Sequence, residues 1–245
     1  MAWAILAAGS FALSSIAQGA ETGSKMETSS QEFSLHLGTT RVIYNLDSAG
    51  SAMEVINDHD YPILVQSEVL KEDNKTKAPF VVTPPLFRLD AFQSSRLRIV
   101  RTGGDFPGDR ESLQWLCVKG IPPKDGDKWA DSKSGAAGKV SLHMQFSINS
   151  CIKLFVRPST VKGHPEDVAG KVEWQKVGNK LKGINPTPFY INLSELKIGG
   201  KTLEHHYIAP FSFYETRIPS GVTGNIQWKA ITDYGGVSEQ FESEL

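Results

Sequence analysis

Asp105, Asp109 and Glu111 lie close together in the sequence, and paired carboxylates are the groups that glycoside hydrolysis uses. They read more simply as loop residues that cap a turn or pair with a base. His205 and His206 are adjacent. On a strand their rings would point to opposite faces, so they cannot chelate one metal together. His36, His59, His143 and His164 have no partner at ligand spacing. GxSxG, HExxH and a Gly-rich phosphate loop are all absent from the sequence. The expectation is therefore no catalytic residue, no metal, no cofactor and no ATP. Asn74-Lys75-Thr76 and Asn192-Leu193-Ser194 match the glycosylation acceptor pattern, a reading that requires a eukaryotic secretory context.

The remaining reactive groups are Cys117 and Cys151, 34 positions apart with no CxxC. That spacing does not suit zinc. Residues 1–20, MAWAILAAGSFALSSIAQGA, carry no charge and end in small residues, as the apolar and cleavage regions of a signal peptide do. A basic start is missing; cleavage is expected after Ala17, with Ala20 as the second choice. In an exported chain an even pair of cysteines reads as a disulfide, worth about 3–4 kcal/mol for such a loop.

Lys plus Arg number 26 and Asp plus Glu 27, a net charge of −1 that removes the basic excess expected of a nucleic-acid binder. Hydrophobic residues at 40% allow a buried core. After residue 20 there is no apolar run long enough to span a bilayer.

The elements that must position these groups read as strands. Alternating or β-rich runs occupy residues 31–44, 52–57, 63–70, 80–83, 96–100, 115–119, 140–148 and 152–157, separated by turn chemistry at 58–60, 71–77, 103–104 and 122–138. Residues 159–170 are polar, and a second set follows at 171–177, 180–184, 189–196, 211–218 and 224–231. Short strands with turns between them point to antiparallel sandwiches rather than a parallel α/β sheet. The domain boundary falls near residue 160, with no internal repeat.

One strand stands apart. In KVSLHMQFSI, Val140, Leu142, Met144, Phe146 and Ile148 take every second position and share one face. Taken alone, this is how an ordinary half-buried core strand looks. The long polar loop before it suggests instead a strand that orders on a partner's sheet edge, with backbone bonds giving affinity and alternate side chains filling pockets. Exposed, such a strand is an aggregation hazard, so some cover is expected, by self-pairing or by the N-terminal strand around Phe33–Leu37.

Several segments together resemble one family. FPGDRESLQWLCVKGIPPK (residues 106–124) resembles the signature segment of periplasmic chaperones of the chaperone–usher pathway, which assemble pili and non-pilus adhesins on Gram-negative bacteria. SINSCIKLFVRP (147–158) resembles their G strand, NPTPFYINLSELKIGGK (185–201) their second domain, and VVTPPLFRLD (81–90) also matches. The resemblance runs over residues 31–245. It implies an all-β fold: two immunoglobulin-like β-sandwich domains in an L-shape, at 21–158 and 159–245 behind a signal peptide at 1–20.

The resemblance further implies that the first domain's G strand completes a pilin-like subunit lacking its last strand, with Val140, Leu142, Met144, Phe146 and Ile148 as donor residues. The subunit's C-terminal carboxylate is anchored by an Arg and a Lys, falling by motif position on Arg41 and Lys153. The loop at 122–138, the extended donor strand and the cysteine pair look like the long-loop subfamily. There a Cys117–Cys151 disulfide ties the F and G strands, and the N-terminal strand, through Phe33, Leu35 and Leu37, also touches the subunit. Pro84, Pro85, Pro122 and Pro123 are expected to shape a surface facing an outer-membrane usher. Gly120, where many relatives carry a charged residue, is not expected to touch the binding mechanism. The implied partners are pilin-like or afimbrial adhesin subunits and the usher, in the periplasm, with self-association of the free chain. The alternative is a secreted adhesin or carbohydrate-binding module, in which residues 140–148 are core.

Overall fold

The computed structural model describes residues 27–122, 127 and 141–245. The expected signal peptide, Val140 and Pro123 lie outside the described residues.

Alternation explains most of the strands. In β5 (Ile63–Lys71), Ile63, Val65, Ser67 and Val69 are buried while Gln66 and Glu68 face solvent. The first half of the chain gives β1 (Glu27–Phe33), β2 (His36–Leu37), β3 (Arg41–Asn45), β4 (Ser51–Ile56), β5, β6 (Phe80–Thr83), β7 (Leu86–Leu89), β8 (Ser94–Arg101), β9 (Ser112–Ile121), β10 (Ser141–Ser147) and β11 (Asn149–Arg157). One sheet has the order β3-β11-β9-β5-β7 and the other β2-β4-β8-β6. Between them lies a core that includes Tyr44, Val55, Ile63, Leu97, Leu116 and Leu154, each such burial worth about 1.5–3 kcal/mol. Residues 31–44, expected as one strand, form three. β1 runs beside β10, β2 joins β4, and β3 crosses to β11 in the opposite sheet.

The second half opens with a short helix, α1 (Pro165–Val168), where Pro165 starts the turn and Glu166 and Asp167 suit its N-terminus. The strand expected at 171 therefore begins only at Glu173. There follow β12 (Glu173–Val177), β13 (Lys180–Asn185), β14 (Ile191–Ile198), β15 (Lys201–Thr202), β16 (Tyr207–Ile208), β17 (Ser212–Arg217), β18 (Ile226–Ala230) and β19 (Phe241–Ser243). The sheets β12-β13-β17 and β15-β14-β18-β19 enclose Trp174, Leu181, Phe189, Leu196 and Trp228. His205 and His206 lie outside the strands, so the opposite-face reading of them does not apply. β7, β15, β16 and β19 were not anticipated, because two to four residues are too few to show a period.

The two sandwiches share a local device. Asn57 and Asn185 are fully buried. Each accepts a backbone N–H two residues on, from His59 and Thr187, and each donates to a carbonyl four residues on, of Tyr61 and Phe189. Each side-chain amide also faces two carbonyls farther along the chain. A short buried Asn thus ties a corner together through several backbone groups at once.

Candidate functional site

β1 and β10 form a parallel two-stranded ribbon apart from both sandwich sheets, in register from Glu27↔Ser141 to Phe33↔Ser147. Leu142, Met144, Phe146 and Ile148 remain 37–50% exposed, so the row is not core. Met144 and Phe146 stand opposite Ser30 and Glu32, which offer them no apolar neighbour. Among the described residues β10 pairs with β1 alone, leaving its other edge open. The cover thus comes from Glu27–Phe33 and shields one backbone edge, not the apolar row.

Phe33, Leu35 and Leu37 need correcting in one respect. Phe33 and Leu35 are buried in the first domain's own core and Leu37 packs against it, so their side chains serve the fold. What this strand can offer a partner is the backbone of β1.

The foot of the ribbon is tied down. Ile148 N–H donates to Phe33 O at 3.2 Å, Gly120 N–H to Ile148 O at 3.1 Å, and the Ser147 hydroxyl to Gly120 O at 2.5 Å. A Cβ at Gly120 would lie 2.2 Å from Phe33 O, a clash with backbone. Gly120 therefore does bear on the candidate site: only glycine lets β1 cross β9 here. Nearby, the Tyr61 hydroxyl donates to Glu32 O at 2.5 Å, and its ring stacks with that of His59. Cys117 and Cys151 are register partners on β9 and β11 and form a disulfide, Cα–Cα 4.0 Å, just beyond the ribbon.

From the ribbon β11 runs on to Lys153, which is the register partner of Arg41 on β3. Arg41 is buried and Lys153 half-buried in the cleft between the domains. Burial, and then the Arg41 charge, hold the Lys153 ammonium down at about 8. Burial likewise lowers the Arg41 guanidinium, against the pull of Asp233, Glu111 and Glu166. Lys153 Nζ donates to Asn192 Oδ1 at 2.5 Å and sits 4.8 Å from the centre of the Tyr207 ring. Arg41 Nη1 reaches Ile231 O at 3.5 Å, while its Nε is buried with no acceptor among the described residues. Paired cations with an unfilled donor suit a carboxylate.

Sequence reasoning missed the groups that fix the cleft's geometry. Arg157, buried, donates to Glu111 at 2.7 Å and, through two nitrogens, to Asp233 at 2.7 Å. The other Glu111 oxygen accepts Tyr190 N–H at 2.8 Å, so one carboxylate holds both domains. Burial pushes the Glu111 carboxyl up, while for Asp233 the bonds from Arg157 and His164 outweigh burial and bring it down. Glu111 therefore pairs with a base, as one half of the sequence reading allows, and the pair lies between the domains. His164 accompanies it, with Nδ1 2.9 Å from Asp233. Leu113, Phe155 and Tyr190 pack into a small apolar plug between the sandwiches. No spacing in the sequence pairs residue 111 with 157 and 233.

Pro84 and Pro85 sit at the start of β7, with their carbonyls accepting from the Ser67 hydroxyl and N–H. Beside them Leu86 is half exposed, and Pro122 lies at the end of β9.

Residues 34–162 match the family model for the N-terminal domain of PapD, a pili and flagellar-assembly chaperone, and residues 167–242 match that for the C-terminal domain of the pili assembly chaperone PapD. Over 220 residues the chain is 66% identical to the chaperone protein AfaB of Escherichia coli, covering 89% of this chain and 88% of that one. To the chaperone protein caf1M of Yersinia pestis it is 46% identical over 225 residues, covering 88% and 87%. The E. coli chaperone DraB superposes with a TM-score of 0.80 at 66% identity, covering 89% of this chain and all of that one. A chain of the Salmonella enterica SafA pilin–SafB chaperone complex does so with a TM-score of 0.81 at 48% identity, covering 90% and 100%. With both sandwiches matched in order, and at these identities over nearly nine-tenths of its length, the chain belongs to the PapD family of pilus-assembly chaperones.

Proposed function

We propose that this chain is a periplasmic chaperone that captures pilin-like or afimbrial adhesin subunits and hands them to an outer-membrane usher. The domain of residues 21–158 lends the donor strand and that of residues 159–245 closes the cleft behind it. The observation that carries this reading is the exposed row Leu142, Met144, Phe146 and Ile148 on a strand with one open edge. A subunit lacking a strand gains backbone bonds from that edge and fills its pockets with the row, each side chain contributing about 1.5–3 kcal/mol before ordering costs. Arg41 and Lys153 take the subunit's terminal carboxylate. A relative of this chain, SafB, is solved in complex with a pilin, which supports the partner class. Capture is a binding reaction, driven by subunit folding rather than by ATP or catalysis. Left free, the same row favours self-association. The proline surface around Pro84, Pro85 and Pro122, with Leu86, is the usher-facing candidate.

The test is co-purification. The chain is expressed in the periplasm of its native background with a C-terminal tag, alongside Lys153→Ala and Arg41→Ala. A stoichiometric small β-rich partner, lost in both variants, is the expected result. No partner for any of the three chains, or a glycan-binding monomer, would overturn the reading.

A further inference from the structure

Asn192 is almost fully buried, and three of its polar groups are engaged in place. Its side-chain N–H donates to Tyr190 O, its backbone O accepts from Ile231 N–H at 2.7 Å, and its Oδ1 accepts from Lys153 across the cleft. Its cross-strand partner on β16 is Tyr207, the residue whose ring lies under the same ammonium. Ile231, hydrogen-bonded to Asn192, presents the carbonyl that Arg41 reaches. Arg41 and Lys153 of the first domain are therefore both braced on one hydrogen-bonded pair of the second.

We propose that Asn192 is a positioning residue of the carboxylate anchor: its fixed amide oxygen, with the Tyr207 ring, orients the Lys153 ammonium, so that the incoming carboxylate is read by both domains at once. The inference rests on the assignment of Arg41 and Lys153 as anchor. The chemistry is specific. An ammonium has three donors on a flexible stem and adopts no fixed direction unless an acceptor holds one of them. An amide oxygen does this without charge, leaving two donors for the carboxylate. A carboxylate at the same place would occupy the anchor from within.

The experiment follows the titration of Lys153 by NMR, its signal assigned through Lys153→Met, together with recovery of the co-purifying partner. In the wild-type chain the Asn192 side-chain amide signals are expected to shift with the Lys153 midpoint and to lose that transition in Lys153→Met. Asn192→Asp should raise the Lys153 midpoint by about one pH unit or more, a tenfold change in proton affinity, and cut partner recovery at least about tenfold. Tyr207→Leu, which spares the buried position, should weaken recovery, while Tyr207→Phe keeps it. If the Lys153 midpoint does not move in Asn192→Asp, the ammonium does not rest against this side chain and the positioning role is overturned. If Lys153→Ala loses the partner while the Asn192 amide ignores the Lys153 titration, the positioning role is overturned and the anchor stands. If Lys153→Ala retains the partner, the anchor assignment fails, and this inference with it.

Discussion

Lys153 and Arg41 face each other as register partners on two parallel strands, two cations side by side in a partly desolvated cleft. Like charges directly opposite are destabilising, and the acidic groups Asp233, Glu111 and Glu166 offset this only in part at Arg41; among the described residues Lys153 meets an amide oxygen and a ring, and Arg41 a carbonyl. The fold holds this arrangement at a cost, and a carboxylate would relieve it.

Lys153→Met should therefore abolish subunit capture yet leave the protein as stable or more so. The native ammonium gives up its proton near 8 and the unfolded one near its usual 10.5. The charged form thus penalises the folded state most below pH 8, and the penalty fades as the pH rises toward 10.5. A gain of about 1 kcal/mol at neutral pH is expected, well short of the full shift because the ammonium keeps solvent contact. Urea unfolding at several pH values checks it; a clear loss of stability would mean that Lys153 braces the domains.

Met144→Gln separates donor strand from core. The side chain is 39% exposed, so the change should move unfolding by no more than about 0.5 kcal/mol while lowering partner recovery about tenfold. Leu116→Ala, in the buried core, should instead cost about 2–5 kcal/mol. If Met144→Gln unfolds the domain, the strand is ordinary core.

Gly120→Ala puts a methyl group onto the Phe33 carbonyl. Separation of β1 from β9 at this point should cost about 1–3 kcal/mol. Limited proteolysis would find new cleavage around residues 27–33, with capture impaired. An unchanged digest would show that the crossing tolerates a side chain.

Replacing Cys117 and Cys151 together by Ser removes a crosslink spanning 34 positions. The expected loss is about 3–4 kcal/mol in the chain-entropy view. Partner recovery should also fall, because the bond lies at the foot of the donor strand. Denaturant midpoints with and without reductant give the comparison.

His164 brings a pH dependence. Its bond to Asp233 raises the imidazole above the usual 6.5, so as pH rises the unfolded chain loses that proton first. The contribution of the pair is complete below pH 6.5 and disappears as pH rises through the native midpoint. Thermal melts of His164→Ala should lie below the wild type in acid buffer and converge with it in alkaline buffer. A gap independent of pH would remove the ion pair from the account.

Much of this protein is written locally. Alternation placed most of the strands within a residue or two, because the two faces of a strand in a sandwich meet different solvents. The row Leu142 to Ile148 was legible for the same reason, and the cysteine pair because export leaves an even pair few other roles. The segment motifs of residues 106–124, 147–158 and 185–201 carried the family. The sequence could not say that Phe33 and Leu35 turn into the core, since alternation names a face and not what covers it. Nor did it reveal the matching corners at Asn57 and Asn185, whose surrounding residues differ while their hydrogen bonds agree. Two relationships belong to the tertiary structure alone: the register that sets Lys153 against Arg41, and the meeting of the sandwiches that brings Asn192 to Lys153, Asp233 to Arg157 and Tyr190 to Glu111. The second depends on how the two sandwiches meet, and burial at that junction is what turns ordinary lysines, asparagines and carboxylates into a site.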